Sequence, residues 1–301
     1  MTLMLDQEWI QTMKLINIYK KYLKLFQSKN ISDASLKILL CEFYGIDSFT
    51  SFVLKFEDDV DELTKKQIKI LNKVLNGYPV QYALQKSSFY NTNFYVNKNV
   101  LIPRPETEEL VLHTIKKAQE IFTPTESLDL IDLGCGSGNI LMSIEKNAGF
   151  KWKSVTGIDN SFFALQVTRK NKKYLGSAAI LKRCDMIKYL KKTKQKYNIL
   201  VSNPPYISKK EDVEENVKKF EPKNALYANP SYYFYENIIR QLPFVIKKDF
   251  VAAFEIGYDL KEILESILKS TKFNIKIKYD FIKDIYDNDR ILLIYTDRSW
   301  K

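Results

Sequence analysis

The chain is poor in the residues that build metal centres and disulfide scaffolds. Its 301 residues include one histidine, His113, and three cysteines, Cys41, Cys135 and Cys184. The cysteines lie far apart and form no Cys-x-x-Cys pair. Neither a disulfide framework nor a zinc site is expected, and a reducing compartment is. His113 falls inside a helical segment and reads as an ordinary helix residue. No stretch reaches the roughly 18 uninterrupted apolar residues of a membrane span. The opening MTLMLDQEWIQTMKL is acidic early and lacks the apolar centre of a secretory signal. A cytoplasmic protein with no membrane attachment and no metal is expected. Also missing is G-x-x-x-x-G-K-[ST], which disfavours a phosphate-loop NTPase.

What is present is ordinary for a soluble globular chain: 45% hydrophobic, 28% charged and 13% aromatic residues. The length is comfortable for two domains. Lys and Arg number 47 against 36 Asp and Glu, a formal charge of +11. Such a surface can attract nucleic acid or an RNA-rich particle. It can equally be Lys usage spread over solvated faces, which the scatter of Lys through every segment favours. The basic run Lys188–Lys196 (KYLKKTKQK) reads as an exposed loop between two strands.

Up to about Asn76 the pattern is helical. Leu3–Phe26 carries Trp9, Met13, Ile16, Tyr19 and Leu23 at helical spacing. Ser32 can cap a second helix over Leu36, Leu39, Leu40 and Phe43 that ends at Gly45. Leu63–Leu75 repeats the pattern, and Gly77-Tyr78-Pro79 stops it. Residues Ser87–Val100 mix aromatic and β-branched residues with Asn-rich turns, as a hairpin does. Pro103-Arg104-Pro105-Glu106-Thr107 then opens a helix through Ile121.

From there strands and helices alternate. Strands are expected at Leu128–Leu133, Ser154–Ile158, Ala178–Cys184, Tyr197–Ser202, Phe250–Ile256, Phe273–Tyr279 and Arg290–Thr296. Helices are expected after Gly138, over Ser161–Tyr174, over much of Pro230–Val245 and over Leu260–Leu268. This alternation implies an α/β fold, a doubly wound parallel sheet covered on both faces. The expected organisation is a helical bundle over 1–80, a hairpin linker over 81–104 and the α/β domain over 105–301.

Asp132-Leu133-Gly134-Cys135-Gly136-Ser137-Gly138 sits where a buried strand turns into a helix. Glycines there permit positive φ and a close approach of backbone to ligand. Ligands of open α/β sheets bind beyond the carboxyl ends of the strands. The spacing is G-x-G-x-G, not the dinucleotide pattern G-x-G-x-x-G. Asp159 ends the next strand and can accept two hydrogen bonds from a ribose diol. S-adenosylmethionine has a ribose and no phosphate, and so suits this pair of features. Asp132 can orient the loop or the amino-acid part of such a cofactor. A tight turn with no ligand is the plainer alternative.

Asn203-Pro204-Pro205-Tyr206 follows the apolar strand Asn198–Ser202. A planar NH2 conjugated to a carbonyl or an aromatic ring attacks poorly, because its lone pair is delocalised. Two acceptors must grip its two N–H groups and aim the nitrogen at a methyl. The Asn203 side-chain oxygen and the Pro204 carbonyl can serve, and proline adds no competing N–H. Tyr206 supplies an aromatic face. The alternative is a Pro-Pro turn with a tyrosine packed below it.

These motifs give the chain a resemblance to the release-factor glutamine methyltransferases, the PrmC/HemK family. It runs from about Gly77 to Thr296. It rests on GYPVQY at Gly77–Tyr82, LIPRPETEELV at Leu101–Val111, DLGCGSG, VSNPPYI at Val201–Ile207, FEPKNALYA at Phe220–Ala228, EIGYD at Glu255–Asp259 and DNDR at Asp287–Arg290. The resemblance implies a Rossmann-like class I methyltransferase domain after a small helical bundle and a β-hairpin linker, with the bundle binding substrate. It implies S-adenosyl-L-methionine as cofactor, held by Asp132, Gly134, Cys135, Gly136, Ser137, Gly138, Asp159, Met186 and Asn203. It implies that Asn203, Pro204, Pro205 and Tyr206 hold the glutamine of a Gly-Gly-Gln loop in class-I peptide chain release factors. Met186 is expected by the adenine, where the family often has an aromatic, and Leu260 stands where Gln is common. Arg104 is a candidate for contacts near the site or for tying the hairpin to the helix. The charged stretch Ser208–Phe220 is a candidate for movement over substrate.

Two other readings remain open on the residues alone. Asn-Pro-Pro-Tyr is shared with adenine-N6 methyltransferases, and the positive charge would suit DNA. Such an enzyme normally needs a target-recognition module, and the N-terminal bundle has no recognisable nucleic-acid motif. A binding module without catalysis is the other, against which the intact motifs argue. A monomer is expected, with a release factor as partner and no stable nucleic-acid binding.

Overall fold

The computed structural model of the chain describes residues 12–208 and 213–297. Two compact units divide between Gln85 and Lys86. The first contains β1 (Thr12–Lys14), α1 (Leu15–Ser28), α2 (Asp33–Tyr44), α3 (Phe49–Leu54), β2 (Asp59–Asp61), α4 (Lys65–Leu75) and α5 (Val80–Leu84). Ser32 caps α2 by accepting the Ala34 N–H, and Gly45 ends it in the left-handed region at φ 63°. Thr64 and Gln67 close a reciprocal capping box at the start of α4. Leu15, Phe26, Leu36, Leu39, Leu40, Phe52 and Leu71 form the core of this unit. The expected helix over Leu3–Phe26 needs correction. Residues 3–11 lie outside the described residues, and Thr12–Lys14 pairs antiparallel with β2, so helix begins only at Leu15.

The second unit opens with the hairpin β3 (Ser87–Phe89) and β4 (Thr92–Phe94), then α6 (Pro105–Ile121) with Pro105 at its first position. There follow β5 (Ser127–Leu133), α7 (Asn139–Asn147), β6 (Lys151–Asp159), α8 (Phe162–Leu175), β7 (Ile180–Arg183), α9 (Met186–Lys192) and β8 (Tyr197–Ser202). The chain ends with α10 (Glu215–Phe220), α11 (Tyr233–Val245), β9 (Ile246–Glu255), α12 (Lys261–Ser270), β10 (Ile277–Lys283) and β11 (Asp289–Thr296). The seven strands run β10-β11-β9-β8-β5-β6-β7. Strands β7, β6, β5, β8 and β9 are parallel.

Side chains alternate across this sheet with period two. On one face Leu128, Leu130, Ile199, Val201, Val251 and Ala253 pack with Leu110 and Val111 of α6 and Leu141 of α7. On the other, Ile131, Leu133, Leu200, Ala252 and Phe254 pack with Tyr235 and Ile239 of α11 and Leu264 of α12. Both faces are thus covered, as the strand–helix alternation predicts.

Three expectations change. The sheet is not wholly parallel: β11 is antiparallel to both β9 and β10. Only Asp284–Asn288 joins β10 to β11, too short for the crossover a parallel pair needs. The edge strand also lies later than Phe273–Tyr279, because Ile277 is the first residue paired with β11, opposite Thr296. Finally, Lys188–Lys196 is not a loop between strands. Through Lys192 it belongs to α9, where Asp185 accepts the Lys188 N–H and Ile187 and Leu190 bury one face. Lysine is a good helix former, and that buried i, i+3 pair gives the basic run a helix to sit on.

One buried amide binds three segments around the turn after β5. Asn171 of α8 is fully buried. Its Oδ1 accepts the Tyr95 N–H at 2.7 Å, and its Nδ2 donates to the Tyr95 and Ser137 carbonyls at 2.9 Å each. Asn171→Ala leaves these groups without partners and is expected to cost about 2–4 kcal/mol. Urea unfolding checks this, and a loss below about 1 kcal/mol would mean that the three groups find other partners.

Candidate active site

Strands β5 and β8 are neighbours, but the chain leaves them toward different partners, β6 on one side and β9 on the other. This is the topological switch point of the sheet, where a crevice opens beyond the strand ends. The turn after β5 carries the glycines. Gly134, Gly136 and Gly138 have φ of 79°, 53° and 82°. The Gly134 and Cys135 N–H groups donate to the Ile158 carbonyl at 2.8 and 2.9 Å, which ties the turn to β6. A Cβ on Gly136 would meet no atom closer than the Gly134 carbonyl oxygen at 4.0 Å, so this position faces open space. A Cβ on Gly134 would come within 3.1 Å of Met186 Cε, and one on Gly138 within 2.7 Å of Thr168 Cγ2. Gly138 is therefore held by helix packing and Gly136 by clearance.

Two carboxylates stand at this turn. Asp159 ends β6. Its Oδ2 accepts the Gly136 N–H at 2.9 Å and its Oδ1 the Ser161 N–H at 2.8 Å. A carboxylate has about four acceptor sites, more than these donors use, so it can also receive a ribose hydroxyl. Burial raises its pKa, and the backbone donors of Ser161, Gly136 and Asn160 oppose that rise. Asp132 is fully buried, and neither of its oxygens has a hydrogen-bond partner among the described residues. Burial first, and then the neighbouring charge of Asp159, push its pKa up to about 8. The Leu141 N–H in the first turn of α7 offsets part of this without reaching hydrogen-bond geometry.

Past β8, Asn203 and Tyr206 are half-buried and Pro204 and Pro205 buried. Behind them is one buried carboxylate, Glu255 at the end of β9. Thr107, in the first turn of α6, donates through Oγ1 to Glu255 Oε2 at 2.6 Å. Asn203 Nδ2 donates to Thr107 Oγ1 at 3.4 Å, and the Tyr206 hydroxyl reaches Glu255 Oε1 at 3.4 Å. Burial pushes the Glu255 pKa up, while Thr107, the positive charge of Arg290 and Tyr206 pull it down. Burial and the Glu255 charge drive the Tyr206 phenol well above its ordinary value, so it stays protonated.

One cleft brings much of this together, with about 1020 Å³ of empty space including its open mouth. Gly134, Cys135, Gly136, Ser137, Asp159, Met186, Asn203 and Pro205 line it. Of the other sequence candidates, Asp132 is fully buried, Gly138 caps α7, and Pro204 and Tyr206 are not among the residues that line the cleft. Arg104 lines the cleft, as one of its two candidate roles expects. Its guanidinium pairs at 2.5 Å with the buried Glu221, which also accepts the Ile102 N–H. Ile102, Thr107, Ser161 and Phe234 also line the cleft, and none of them belongs to the glycine turn or the Asn-Pro-Pro-Tyr segment. Thr107 could be suspected only from its place in the IPRPET segment. The Asp159 lone pairs, the clearance at Gly136 and the apolar Met186 fit a nucleoside with a free ribose diol. Of the stretch Ser208–Phe220, residues 209–212 lie outside the described residues, and Glu215–Phe220 forms α10.

Known proteins resemble this chain. Residues 108–229 match the family model "Methyltransferase small domain". The release factor glutamine methyltransferase of Staphylococcus aureus is 38% identical over 247 residues, which is 81% of this chain and 85% of that protein. Those of Bacillus subtilis and Enterococcus faecalis are 38% and 34% identical, over 72% and 81% of this chain and 75% and 86% of their own. Among solved structures, a methyltransferase from Pyrococcus furiosus aligns over 67% of this chain and 87% of its own at 14% identity, with a TM-score of 0.47.

The unpartnered Asp132 has a measurable consequence. The folded protein keeps its proton up to about pH 8, whereas the unfolded chain releases it above about 3.8. Its contribution to stability therefore falls as pH rises through that window. Asp132→Asn removes the titration, so without cofactor it should raise stability over wild type. The gain should be absent below about pH 4, grow with pH and exceed about 1 kcal/mol at pH 8. Thermal unfolding at pH 4, 6 and 8 checks it; a gain independent of pH would show that ionisation is not the cause.

Proposed function

Because the chain belongs to the release factor glutamine methyltransferase family, we propose that it methylates the glutamine side-chain amide nitrogen in the Gly-Gly-Gln segment of class-I peptide chain release factors. The observation that carries this reading is that Asn203 and the turn Gly134–Ser137 line one cleft at the switch point. S-adenosylmethionine, when bound, supplies a methyl on a positively charged sulfur that needs no further activation.

The chain's own residues hold and orient. Asp159 would accept from the ribose hydroxyls, Met186 would lie against the base, and the glycine turn would let backbone approach the rest of the cofactor. Asp132 supports that turn from beneath. Asn203 Oδ1 and the Pro204 carbonyl accept the two N–H groups of the acceptor amide and turn its nitrogen toward the methyl. Pro205 closes the wall, and Tyr206 backs the segment through Glu255. The new nitrogen–carbon bond would replace the methyl's bond to sulfur, leaving S-adenosylhomocysteine, and the amide proton would then pass to solvent, so no strong base is needed beforehand. The helical unit before Gln85 is proposed to bind the release factor. The protein is proposed to act as a cytoplasmic monomer without stable nucleic-acid binding.

Transfer of labelled methyl to a purified release factor tests the reading, beside its Gly-Gly-Gln→Gly-Gly-Ala variant and an unmethylated DNA. Label should appear on the glutamine-containing factor alone, and label on DNA alone would replace this reading with adenine-N6 methylation. Asn203→Ala should slow transfer by on the order of ten- to a hundredfold or more, the worth of one buried hydrogen bond plus misorientation. Near-normal turnover would remove Asn203 from this role. Asp159→Ala should weaken cofactor binding in calorimetry, and an unchanged affinity would refute its part.

A further inference from the structure

An asparagine can grip an amide only if its oxygen, not its NH2, faces the acceptor. The two ends of the side chain are nearly the same shape, so something in the protein must choose between them. The choice is made two residues deep. Thr107 is 3% and Glu255 4% exposed. Glu255 as a carboxylate is acceptor-only, so the Thr107 hydroxyl at 2.6 Å must spend its one proton on Glu255 Oε2. The Thr107 oxygen is left with lone pairs only. It can therefore receive a hydrogen bond from Asn203 but cannot give one, and Asn203 meets it with Nδ2. Asn203 Oδ1 takes no donor from the described residues, and Asn203 lines the cleft.

We propose that Thr107 and Glu255 are positioning residues for Asn203: the carboxylate fixes the direction of the Thr107 hydroxyl, and the hydroxyl fixes which end of the Asn203 amide is presented to the cleft. The same carboxylate holds the Tyr206 hydroxyl through its other oxygen, so it spans both ends of the Asn-Pro-Pro-Tyr segment. A buried carboxylate is a poor way to gain stability. A directional relay gives it a purpose that packing does not. This inference rests on the reading of Asn203 as the residue that grips the acceptor amide.

The test is a double-mutant cycle on single-turnover methyl transfer to the release factor, joined to hydrogen exchange of the Asn203 side-chain amide. Thr107→Val keeps the shape and removes the hydroxyl. It should slow transfer about ten- to a hundredfold in wild type and less than about twofold in an Asn203→Ala background. Thr107→Ser keeps the hydroxyl and should stay within about threefold of wild type. Affinity for S-adenosylhomocysteine should change much less than the rate of transfer in each variant, because the relay acts on the orientation of Asn203 and not on the glycine turn or Asp159. If the single variant does not fold around the unpaired carboxylate, Thr107→Val with Glu255→Gln takes its place, since that pair removes the buried charge.

The exchange is read by nitrogen-15 NMR, the resonance being assigned by its loss in Asn203→Ala. The Asn203 NH2 should exchange at least about fivefold more slowly in wild type than in Thr107→Val. This signal needs no turnover. Slowed exchange without transfer to a release factor would sink the substrate reading and leave the relay standing. Transfer with equal exchange rates, or with a Thr107→Val loss that is the same in both backgrounds, would overturn the relay and leave the substrate reading intact.

Discussion

A single buried hydrogen bond marks the point on which the site is built. The Ser202 hydroxyl, at the last residue of β8, donates to the Leu133 carbonyl, at the last residue of β5, at 2.7 Å. Behind it the strands are in parallel register, with Leu130 opposite Ile199 and Asp132 opposite Val201. Beyond it the chain separates into the glycine turn on one side and Asn203 on the other. Adjacent strand ends whose continuations diverge leave a crevice, and here both continuations face it. A methyl donor and a methyl acceptor must meet within about 3–3.5 Å to react. Two loops anchored at neighbouring strand ends can hold that separation without a hinge between them.

The crevice is shaped by groups that cost stability when nothing fills it. Asp132 is buried without a hydrogen bond, and Asp159 lies close enough to raise its pKa further. Glu255 is buried too, with two hydroxyls and the charge of Arg290 to offset it. A sequence selected for stability alone would replace such groups by apolar ones. Their clustering around one cleft, while both sheet faces are packed with aliphatic side chains, separates the parts of the chain that fold it from the parts that do chemistry.

Much of this was legible in the linear sequence, and the gaps have physical causes. Ser32 and Gly45 are local signals, and they bound α2 as read. The apolar run at Leu128–Leu133 and the glycines after it are also local, and they mark β5 and its turn. Sequence patterning failed where a partner decides. Met13 has helical spacing with its neighbours, yet it pairs with Val60 in a short ladder. Lys-rich composition suggested a loop at Lys188–Lys196, but two buried residues and a cap at Asp185 make most of it helix. Thr107 and Glu255 are 148 residues apart, and nothing in either segment alone says that a hydroxyl of one meets a carboxylate of the other. The motifs around them carried the resemblance, but the contact itself belongs to the fold.

The relay also separates choice of chemistry from choice of substrate. An outward-facing asparagine oxygen beside a proline-rich turn suits any planar NH2 whose lone pair is delocalised, whether amide or base. On the proposed reading the cleft selects a kind of nitrogen rather than a kind of molecule. A glutamine side chain is small beside a release factor, and only a few atoms of it can touch Asn203 and Pro205. Specificity for one glutamine must then come from surfaces that deliver it, where a large protein can make many contacts. On this account changes at Thr107 or Glu255 act on the rate of transfer and leave partner choice alone. Changes on the delivering surface do the reverse, so kcat and KM for the protein substrate report on different parts of the molecule.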